Sequence, residues 1–222
     1  MSEATTDYLA AIAHLPSGAV LRVDDVSWEE YENLLADLGE NDSVRIFYDQ
    51  GRMEVMAPSS AHEKPKSVIH TLVTAIRDEL DIDIESLGSS TLKKELRARG
   101  AEPDDSFYIK NAARVIGKED IDLNKEPPPD LVVEIERTSA PLNKFSIYAE
   151  LGVPEIWRIS GYHVQLYLLR GGSFEKSPVS LAFPFLTAQT LSEFLVYGLT
   201  EGERKVSRKL RDWLREHQQI GS

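Results

Sequence analysis

The sequence contains no cysteine, and this absence excludes several classes of site at once. A chain without cysteine has no disulfide framework, no thiolate zinc site and no cysteine nucleophile. No apolar run approaches the roughly 20 residues that a membrane-spanning helix needs. The N-terminus, MSEATTDYLAAIAHL, lacks the basic start and the small-residue cleavage site of a signal peptide. From these absences we expect a cytoplasmic protein with no membrane partner.

Several motifs of well-known enzyme classes are missing as well. Neither GxxxxGK[ST] nor GxGxxG occurs, so nucleotide binding by those loops is unsupported. No HExxH and no paired histidine spacing suggests zinc. Ser139 and Ser160 stand in no GxSxG elbow, which argues against a serine hydrolase of that type.

Positive charge is scarce: 25 Lys and Arg face 37 Asp and Glu, for a formal net charge of −12. A domain that binds nucleic acid through a broad electrostatic footprint should show a basic stripe. The two basic segments, residues 93–99 and 203–217, carry interleaved acids and are typical of solvated faces. The charge therefore argues against non-specific DNA affinity, but it permits a metal-dependent enzyme that grips its substrate locally.

The 222 residues suffice for one well-packed domain, and 41% hydrophobic with 28% charged residues is typical of a globular protein. Apolar periodicity and capping residues predict helices over residues 24–39, 59–80, 141–152 and 201–217. Strands or hairpins are predicted at 43–58, 81–88, 90–96, 105–110, 130–136 and 154–172. This order predicts an α/β fold of the mixed α+β kind, with a mixed β-sheet flanked by helices. We expect a single domain over 1–222, with a helical extension at 1–40, a core at 43–195 and a C-terminal helix at 200–218.

One strand carries acids where apolar residues are expected. In KEPPPDLVVEIERTS, residues 125–139, the apolar Leu131, Val133 and Ile135 share one face, while Asp130, Glu134 and Glu136 share the other. An ionised carboxylate in mid-strand is costly to desolvate without a partner. The strand is therefore an edge strand with a wet face, a strand whose acid pairs with a buried Arg or Lys, or a strand that delivers a ligand.

A second acid favours the ligand interpretation. The segment AEPDDSFYI places Asp104 directly before another apolar strand. Two strands that each deliver one carboxylate can hold a hard divalent cation, and Mg²⁺ needs only one or two protein carboxylates. Such an ion polarises a phosphodiester and generates a hydroxide nucleophile, while a nearby lysine orients the water or neutralises charge.

Four features follow one another in the sequence: a Pro-Asp pair before one strand, PDLVVEI on the next strand, a lysine and a tyrosine on the following helix, and GVPEIW at the start of a further strand. This ordered set resembles the Uma-type restriction endonuclease family of bacteria, within the PD-(D/E)xK nuclease superfamily. The resemblance covers residues 43–195 and is strongest in PPDLVVEIERTSAPLNKFSIYAELGVPEIWRI, residues 128–159. It implies a restriction-endonuclease-like core and an endonuclease that uses Mg²⁺ or Mn²⁺ to hydrolyse phosphodiester bonds of nucleic acid, with DNA as the expected partner. Within that family pattern, Asp104 corresponds to the aspartate of the PD element and Glu134 to the acid of the (D/E)xK element. Both are expected metal ligands.

The sequence departs from the superfamily pattern at Glu136, which stands where the lysine belongs. The resemblance implies that Lys144, on the following helix, supplies that function; without the resemblance Lys144 would be interpreted as a solvated helix lysine. His62 is expected as a general base or a substrate contact, or else as a capping residue of the first turn. Glu63 is either a further acid near the metal or an acid that complements the helix dipole.

Three other residues receive structural interpretations at this point. Tyr148, four residues after Lys144 on the same helix face, is predicted to belong to the core rather than to the chemistry. Asp130 is expected at the strand entry or in support of the ligands. His70 has no convergent partner in the sequence.

Two competing hypotheses remain at the level of sequence. In one, the fold is that of a nuclease but the protein does not cleave and acts as a binding or oligomeric interaction module; the net charge and Glu136 favour it. In the other, the acidic strand face packs on a second subunit, and a homodimer contact through an exposed Trp157 or Trp213 would support it.

Overall fold

The computed structural model describes residues 3–39, 44–58, 60–118, 121–136 and 143–218, and within them the side chains of all but residues 3–7, 60–62 and 218. In this part of the chain the helices are α1 (Glu3–Ala13), α2 (Trp28–Leu38), α3 (Ser60–Leu80), α4 (Lys144–Leu151), α5 (Ala188–Glu201) and α6 (Glu203–Gln218). The strands are β1 (Val20–Val23), β2 (Arg45–Asp49), β3 (Arg52–Met56), β4 (Glu85–Ser86), β5 (Leu92–Lys94), β6 (Arg99–Ala101), β7 (Asp105–Tyr108), β8 (Leu131–Glu136), β9 (Glu155–Ser160), β10 (His163–Arg170) and β11 (Ser173–Ser177). No helix in these ranges combines the length and the apolar composition that crossing a membrane requires.

The strands form two sheets. The first is antiparallel, with the order β1-β3-β2-β6-β5, and its outer face packs on α1 and α2. Helix α2 begins at Trp28 because Ser27 caps it: the Ser27 hydroxyl accepts from the Glu30 N–H and the Glu30 carboxylate accepts from the Ser27 N–H. The predicted capping residue and the predicted end at Gly39 are confirmed.

The second sheet has the order β11-β10-β9-β8-β7-β4 and is mixed. Strands β8 and β9 run parallel, and the other neighbours run antiparallel. A parallel pair needs a crossover connection, which α4 provides before the chain turns at Gly152 with φ of 86°. The predicted mixed sheet flanked by helices is confirmed, although the strands divide between two sheets rather than one.

Strand β8 lies at the centre of the second sheet, between β9 and β7. Its residues Leu131, Val133 and Ile135 pack into the core formed with α3, α5 and α6, as the alternation predicts. The opposite face is covered too, because Val132 packs into a second core with α4. The interpretation of β8 as an edge strand with a wet face is therefore wrong: Glu134 is only 2% exposed.

Helix α4 is enclosed between the two sheets. Its buried side chains Ile147 and Tyr148 share a core with Phe47 of the first sheet and Val132 and Ile156 of the second. The first sheet therefore forms one wall of the space in front of β8. This arrangement was not predicted from sequence, because nothing in the strand patterns tells which strands belong to which sheet.

The region between α3 and β7 is less regular than predicted. The strand expected over 81–88 shrinks to Glu85–Ser86, and the one over 90–96 becomes Leu92–Lys94 followed by a 3₁₀ turn at Glu95–Arg97. Strand β6 was not predicted, although it joins β5 to β2. Position 100 of this strand requires glycine, because a Cβ there would lie 2.1 Å from the hydroxyl of Tyr31.

Candidate active site

The two predicted metal ligands stand opposite each other, Asp104 directly before β7 and Glu134 within β8. Strands β7 and β8 pair antiparallel with Asp105 across from Val133, and the same register places Asp104 across from Glu134. Both carboxylates are buried, at 4% and 2% exposure. The N–H of Ile135 donates to Oδ2 of Asp104 at 2.7 Å, which fixes the aspartate against the neighbouring strand.

Helix α4 brings two donors to Glu134. The Nζ of Lys144 lies 2.7 Å from Oε2, and the hydroxyl of Tyr148 donates to Oε1. Lys144 is the first residue of α4 and Tyr148 lies one turn later, so both side chains project from the same face. Each oxygen of Glu134 therefore has its own donor, one charged and one neutral.

The electrostatics of this cluster follow from its burial. Desolvation raises the pKa of Glu134; the Lys144 ammonium opposes that rise and the Asp104 carboxylate adds to it. Desolvation, followed by the charge of Glu134, also raises the pKa of Tyr148 well above its usual value. Tyr148 therefore remains a hydrogen-bond donor at neutral pH. The Lys144 ammonium also lies 3.9 Å above the ring of Phe47, a favourable cation–π contact with the first sheet.

The donor set fits a hard divalent cation. Asp104 and Glu134 supply carboxylate oxygens, which Mg²⁺ and Mn²⁺ prefer, and two protein carboxylates are enough for Mg²⁺ when water and substrate complete the shell. A closed zinc site needs four protein ligands. Among the described residues no group of three or more His, Asp and Glu side chains is placed to hold an ion, so a site of that kind is not present there. Two carboxylates and one ammonium leave this buried cluster with one excess negative charge, which a cation would offset.

The remaining acids of the β8 segment lie outside this cluster. Glu136, at the superfamily's lysine position, forms an ion pair with Arg158 of β9. Asp130 accepts from the N–H groups of Ile109 and Asn111 at 2.7 and 3.0 Å and from the Asn111 amide at 2.9 Å. It therefore fixes the turn that follows β7, which agrees with a place at the strand entry.

The two predicted residues of α3 are not brought to the cluster by the described contacts. His62 lies in the first turn of the helix, and its side chain falls outside the described residues, so its predicted role stays a prediction. Glu63 is exposed in the same turn and makes no hydrogen bond or ion pair with Asp104, Glu134 or Lys144.

Two contacts were missed by sequence reasoning. Tyr148 is buried, as predicted for a core residue, but its hydroxyl bonds to Glu134. Its spacing of four residues from Lys144 was the available signal. His70 does have a partner: its Nδ1 lies 2.9 Å from Oδ2 of Asp105, on the opposite side of β7 from Asp104.

The basic segments are largely neutralised by contacts within the protein. Between residues 93 and 99, Lys93 pairs with Glu32 and Arg99 with Asp49. The C-terminal helix pairs two of its arginines with acids of α3, Arg211 with Asp78 and Arg215 with Glu79. This pattern matches the predicted interpretation of these segments as faces rather than nucleic-acid grooves.

A cavity of about 1170 Å³ in the described part of the chain does not open on the acidic cluster. It lies between α2, the segment 87–93 and the segment 121–124. Glu102, two residues before Asp104, is part of its wall. Glu102 accepts from the Thr91 hydroxyl at 2.8 Å and from the Ile46 N–H at 2.8 Å.

Of the two tryptophans proposed for a dimer contact, the structure excludes Trp157, and the dimer itself stays a prediction. Trp157 is fully buried in the core, where its Nε1 donates to Glu155 at 2.7 Å, so it is not available to a second subunit. Trp213 is partly buried and stacks on His217 at a ring distance of 4.0 Å.

Comparison with known proteins bears on the fold and on the family. A solved structure of "a putative nuclease belonging to DUF820" from Anabaena variabilis superposes with a TM-score of 0.50 at 18% identity, over 73% of this chain and 97% of that chain. At this identity the likeness shows the fold alone. No curated protein matched the sequence. The sequence pattern of the Uma2 family, described as "Putative restriction endonuclease", matches residues 28–207 and therefore most of the chain. This chain belongs to the Uma2 family.

Proposed function

We propose that this protein is a metal-dependent endonuclease that hydrolyses phosphodiester bonds of nucleic acid, with DNA as the expected substrate. The observation that carries the proposal is that Asp104, directly before β7, lies across from Glu134 of β8, whose carboxylate is held by Lys144 of α4. Membership of the Uma2 family and the fold of the neighbouring nuclease support it.

The roles follow from the contacts. Asp104 and Glu134 would hold Mg²⁺ or Mn²⁺ through their oxygens. A bound divalent ion polarises the phosphodiester and lowers the pKa of a nearby water. Lys144, with its ammonium already directed at this point, would neutralise the charge that develops on the phosphate or orient the attacking water. Tyr148 would keep Glu134 oriented through its hydrogen bond.

The overall charge bears on how the substrate is held. With a net charge of −12 the protein gains little from long-range attraction to a polyanion. Binding therefore has to come from local cations and from the metal. This predicts weak binding to nucleic acid when the metal is absent. It also predicts that the affinity falls only modestly with added salt, because few cations contact phosphates.

A second candidate function has its own observation. Both oxygens of Glu134 already have protein donors, and Glu136 replaces the usual lysine, so the site is internally satisfied without an ion. The alternative is a nuclease fold that binds a partner or a second copy without cleaving. Homodimer formation stays a prediction under either function, to be measured by sedimentation equilibrium.

Cleavage assays with matched variants test the proposal. The protein is incubated with single- and double-stranded DNA and with RNA, in Mg²⁺, in Mn²⁺ and in chelator. We expect metal-dependent cleavage that Asp104→Asn and Glu134→Gln abolish, while Glu193→Gln on the exposed face of α5 leaves it unchanged. Cleavage that survives both site variants would sink the assignment of the site.

Calorimetric titration separates the two functions. An active site of the proposed kind binds Mg²⁺ or Mn²⁺, and Asp104→Asn and Glu134→Gln weaken that binding. If the wild-type protein takes up neither ion at millimolar concentration, as a site satisfied by Lys144 and Tyr148 would behave, the interaction module becomes the better description.

A further inference from the structure

A cation stands beside the acidic cluster on the next strand. Arg158 of β9 is the paired residue of Glu134 in the parallel register of β8 and β9. Paired residues of neighbouring strands project to the same face, and their backbones lie about 4.8 Å apart. The side chain of Arg158 therefore leaves the sheet next to the carboxylate that we assign to the metal.

The contacts of Arg158 hold its guanidinium in one place without using all its donors. One terminal nitrogen pairs with Glu136, and Nη1 lies 3.5 Å from the hydroxyl of Tyr167. Tyr167 in turn donates to Gln165 at 2.9 Å, which fixes the ring. The Nε of Arg158 has no acceptor among the described residues, although it is buried. A guanidinium has five N–H donors, so several remain for another acceptor.

The partner of Arg158 is the residue that departs from the superfamily pattern. Glu136 would by itself place a negative charge near a substrate phosphate, and Arg158 offsets it. The pair is accessible, because the side chains of Arg158 and Glu136 are 33% and 23% exposed. A phosphate is a bidentate acceptor for a guanidinium, as a carboxylate is, and can therefore compete with Glu136 for the same donors.

We propose that Arg158 binds a phosphate of the nucleic-acid backbone next to the bond that is cut, and that Glu136 holds the guanidinium in position when no substrate is bound. The proposal rests on the proposed function, since it names a substrate contact of the same site. The proposal also gives Glu136 a role. Its carboxylate competes with the substrate phosphate for the guanidinium of Arg158, and it does not replace the missing lysine.

The test measures DNA binding in chelator, where neither cleavage nor the metal contributes, and the protein is titrated to high concentration because binding without metal is expected to be weak. Labelled single- and double-stranded oligonucleotides are titrated by fluorescence anisotropy at several salt concentrations. We expect Arg158→Ala to weaken binding about 10-fold or more and to reduce the slope of log Kd against log salt by about one. Arg158→Lys keeps the charge but loses the fork, so its Kd should lie between those of the wild type and Arg158→Ala. The matched control is Arg170→Ala, which removes an exposed arginine that β10 directs to the other face.

Glu136→Gln separates a substrate contact from a structural ion pair. If substrate displaces Glu136, the variant frees the guanidinium and binds DNA roughly 2- to 10-fold more tightly. If the ion pair only stabilises the sheet, Glu136→Gln and Arg158→Ala lower the unfolding temperature together and neither changes Kd relative to Arg170→Ala. That second pattern would overturn the proposal.

The outcome also distinguishes this inference from the proposed function. A wild-type protein that cleaves DNA while Arg158→Ala binds and cleaves like Arg170→Ala shows that the inference alone is wrong. A wild-type protein that neither binds nor cleaves any nucleic acid overturns both.

Discussion

The hydroxyl of Tyr148 donates its hydrogen bond to the carboxylate of Glu134, across the interface between α4 and the centre of the second sheet. Both residues are almost completely buried, so neither group can turn to water if the other is removed. A side chain that looks like part of the core therefore belongs to the polar site as well.

Tyr148→Phe tests this contact with a minimal change of shape. The variant leaves Oε1 of Glu134 buried without a donor, and we expect a loss of about 1–3 kcal/mol in the free energy of unfolding. Urea denaturation measures it, with Tyr162→Phe as the control because that ring is 64% exposed. Two variants of equal stability would show that the hydrogen bond contributes nothing.

Lys144→Met removes the only cation that contacts Glu134 among the described residues. Breaking a buried ion pair leaves an uncompensated charge and costs about 3–5 kcal/mol, so we expect a large loss of stability at neutral pH without metal. Lys144→Arg, which keeps a cation, should lose less.

The same variant predicts a pH effect of known sign. Burial already raises the pKa of Glu134, and removing Lys144 takes away the largest influence that lowers it. When the pKa of an acid is higher in the folded than in the unfolded protein, protonation stabilises the fold at low pH. This stabilisation is lost as the pH rises through the folded-state pKa. Lys144→Met should therefore recover stability relative to wild type between neutral pH and about pH 5. Added Mg²⁺ should also stabilise it if the site binds the ion, and a variant indifferent to both would contradict the proposed electrostatics.

His70 gives a second pH dependence, on the opposite side of β7 from Asp104. The hydrogen bond to Asp105 raises the pKa of His70 above 6.5, against the opposing effects of burial, Lys66 and Arg77. The stabilisation is therefore fully present below pH 6.5 and is lost as the pH rises through the folded-state pKa. Because the ring is half-exposed, we expect only about 0.2–1 kcal/mol. Unfolding curves from about pH 5.5 to about pH 8.5 should show this decline in the wild type and not in His70→Gln.

Gly198→Ala should destabilise the protein although it improves helix propensity. In an exposed helix this change gains about 1 kcal/mol. Here the new Cβ would lie 2.5 Å from Cγ1 of Val68, where α5 crosses α3, and overpacking of this kind costs about 1–3 kcal/mol. Thermal unfolding measures the change. In the double variant with Val68→Ala the two losses should not add, because the smaller residue makes room for the methyl group.

The acidic strand shows how far the sequence leads. Its alternation predicted which side chains of β8 enter the core, and the pattern around Asp104 and Glu134 predicted two carboxylates on neighbouring strands. Strict two-residue periodicity is a local property and can be seen in a single sequence. The solvent exposure of β8 was a different matter, because it depends on a helix and a sheet that come from elsewhere in the chain.

The contacts that sequence reasoning missed are all contacts between distant segments. Tyr148 reaches Glu134 only because α4 returns over the sheet between two parallel strands, and His70 reaches Asp105 only because α3 packs on β7. The extension of the first sheet to five strands depends on the pairing of β6 with β2 and β5, and β6 is a three-residue strand with almost no sequence signal. Short strands of this kind are defined by their partners rather than by their own residues.

The ammonium of Lys144 contacts one residue of each sheet: the carboxylate of Glu134 in the second sheet and the ring of Phe47 in the first. The N-terminal sheet, which carries none of the proposed ligands, therefore helps to determine where the reactive cation lies. Substitutions that abolish the proposed cleavage should accordingly map to three separate stretches of the gene: the β2–β3 hairpin around Phe47, the segment before β7 that carries Asp104, and the acidic strand with its following helix. A survey confined to the acidic motif would miss the position of the N-terminal sheet that contacts this ammonium.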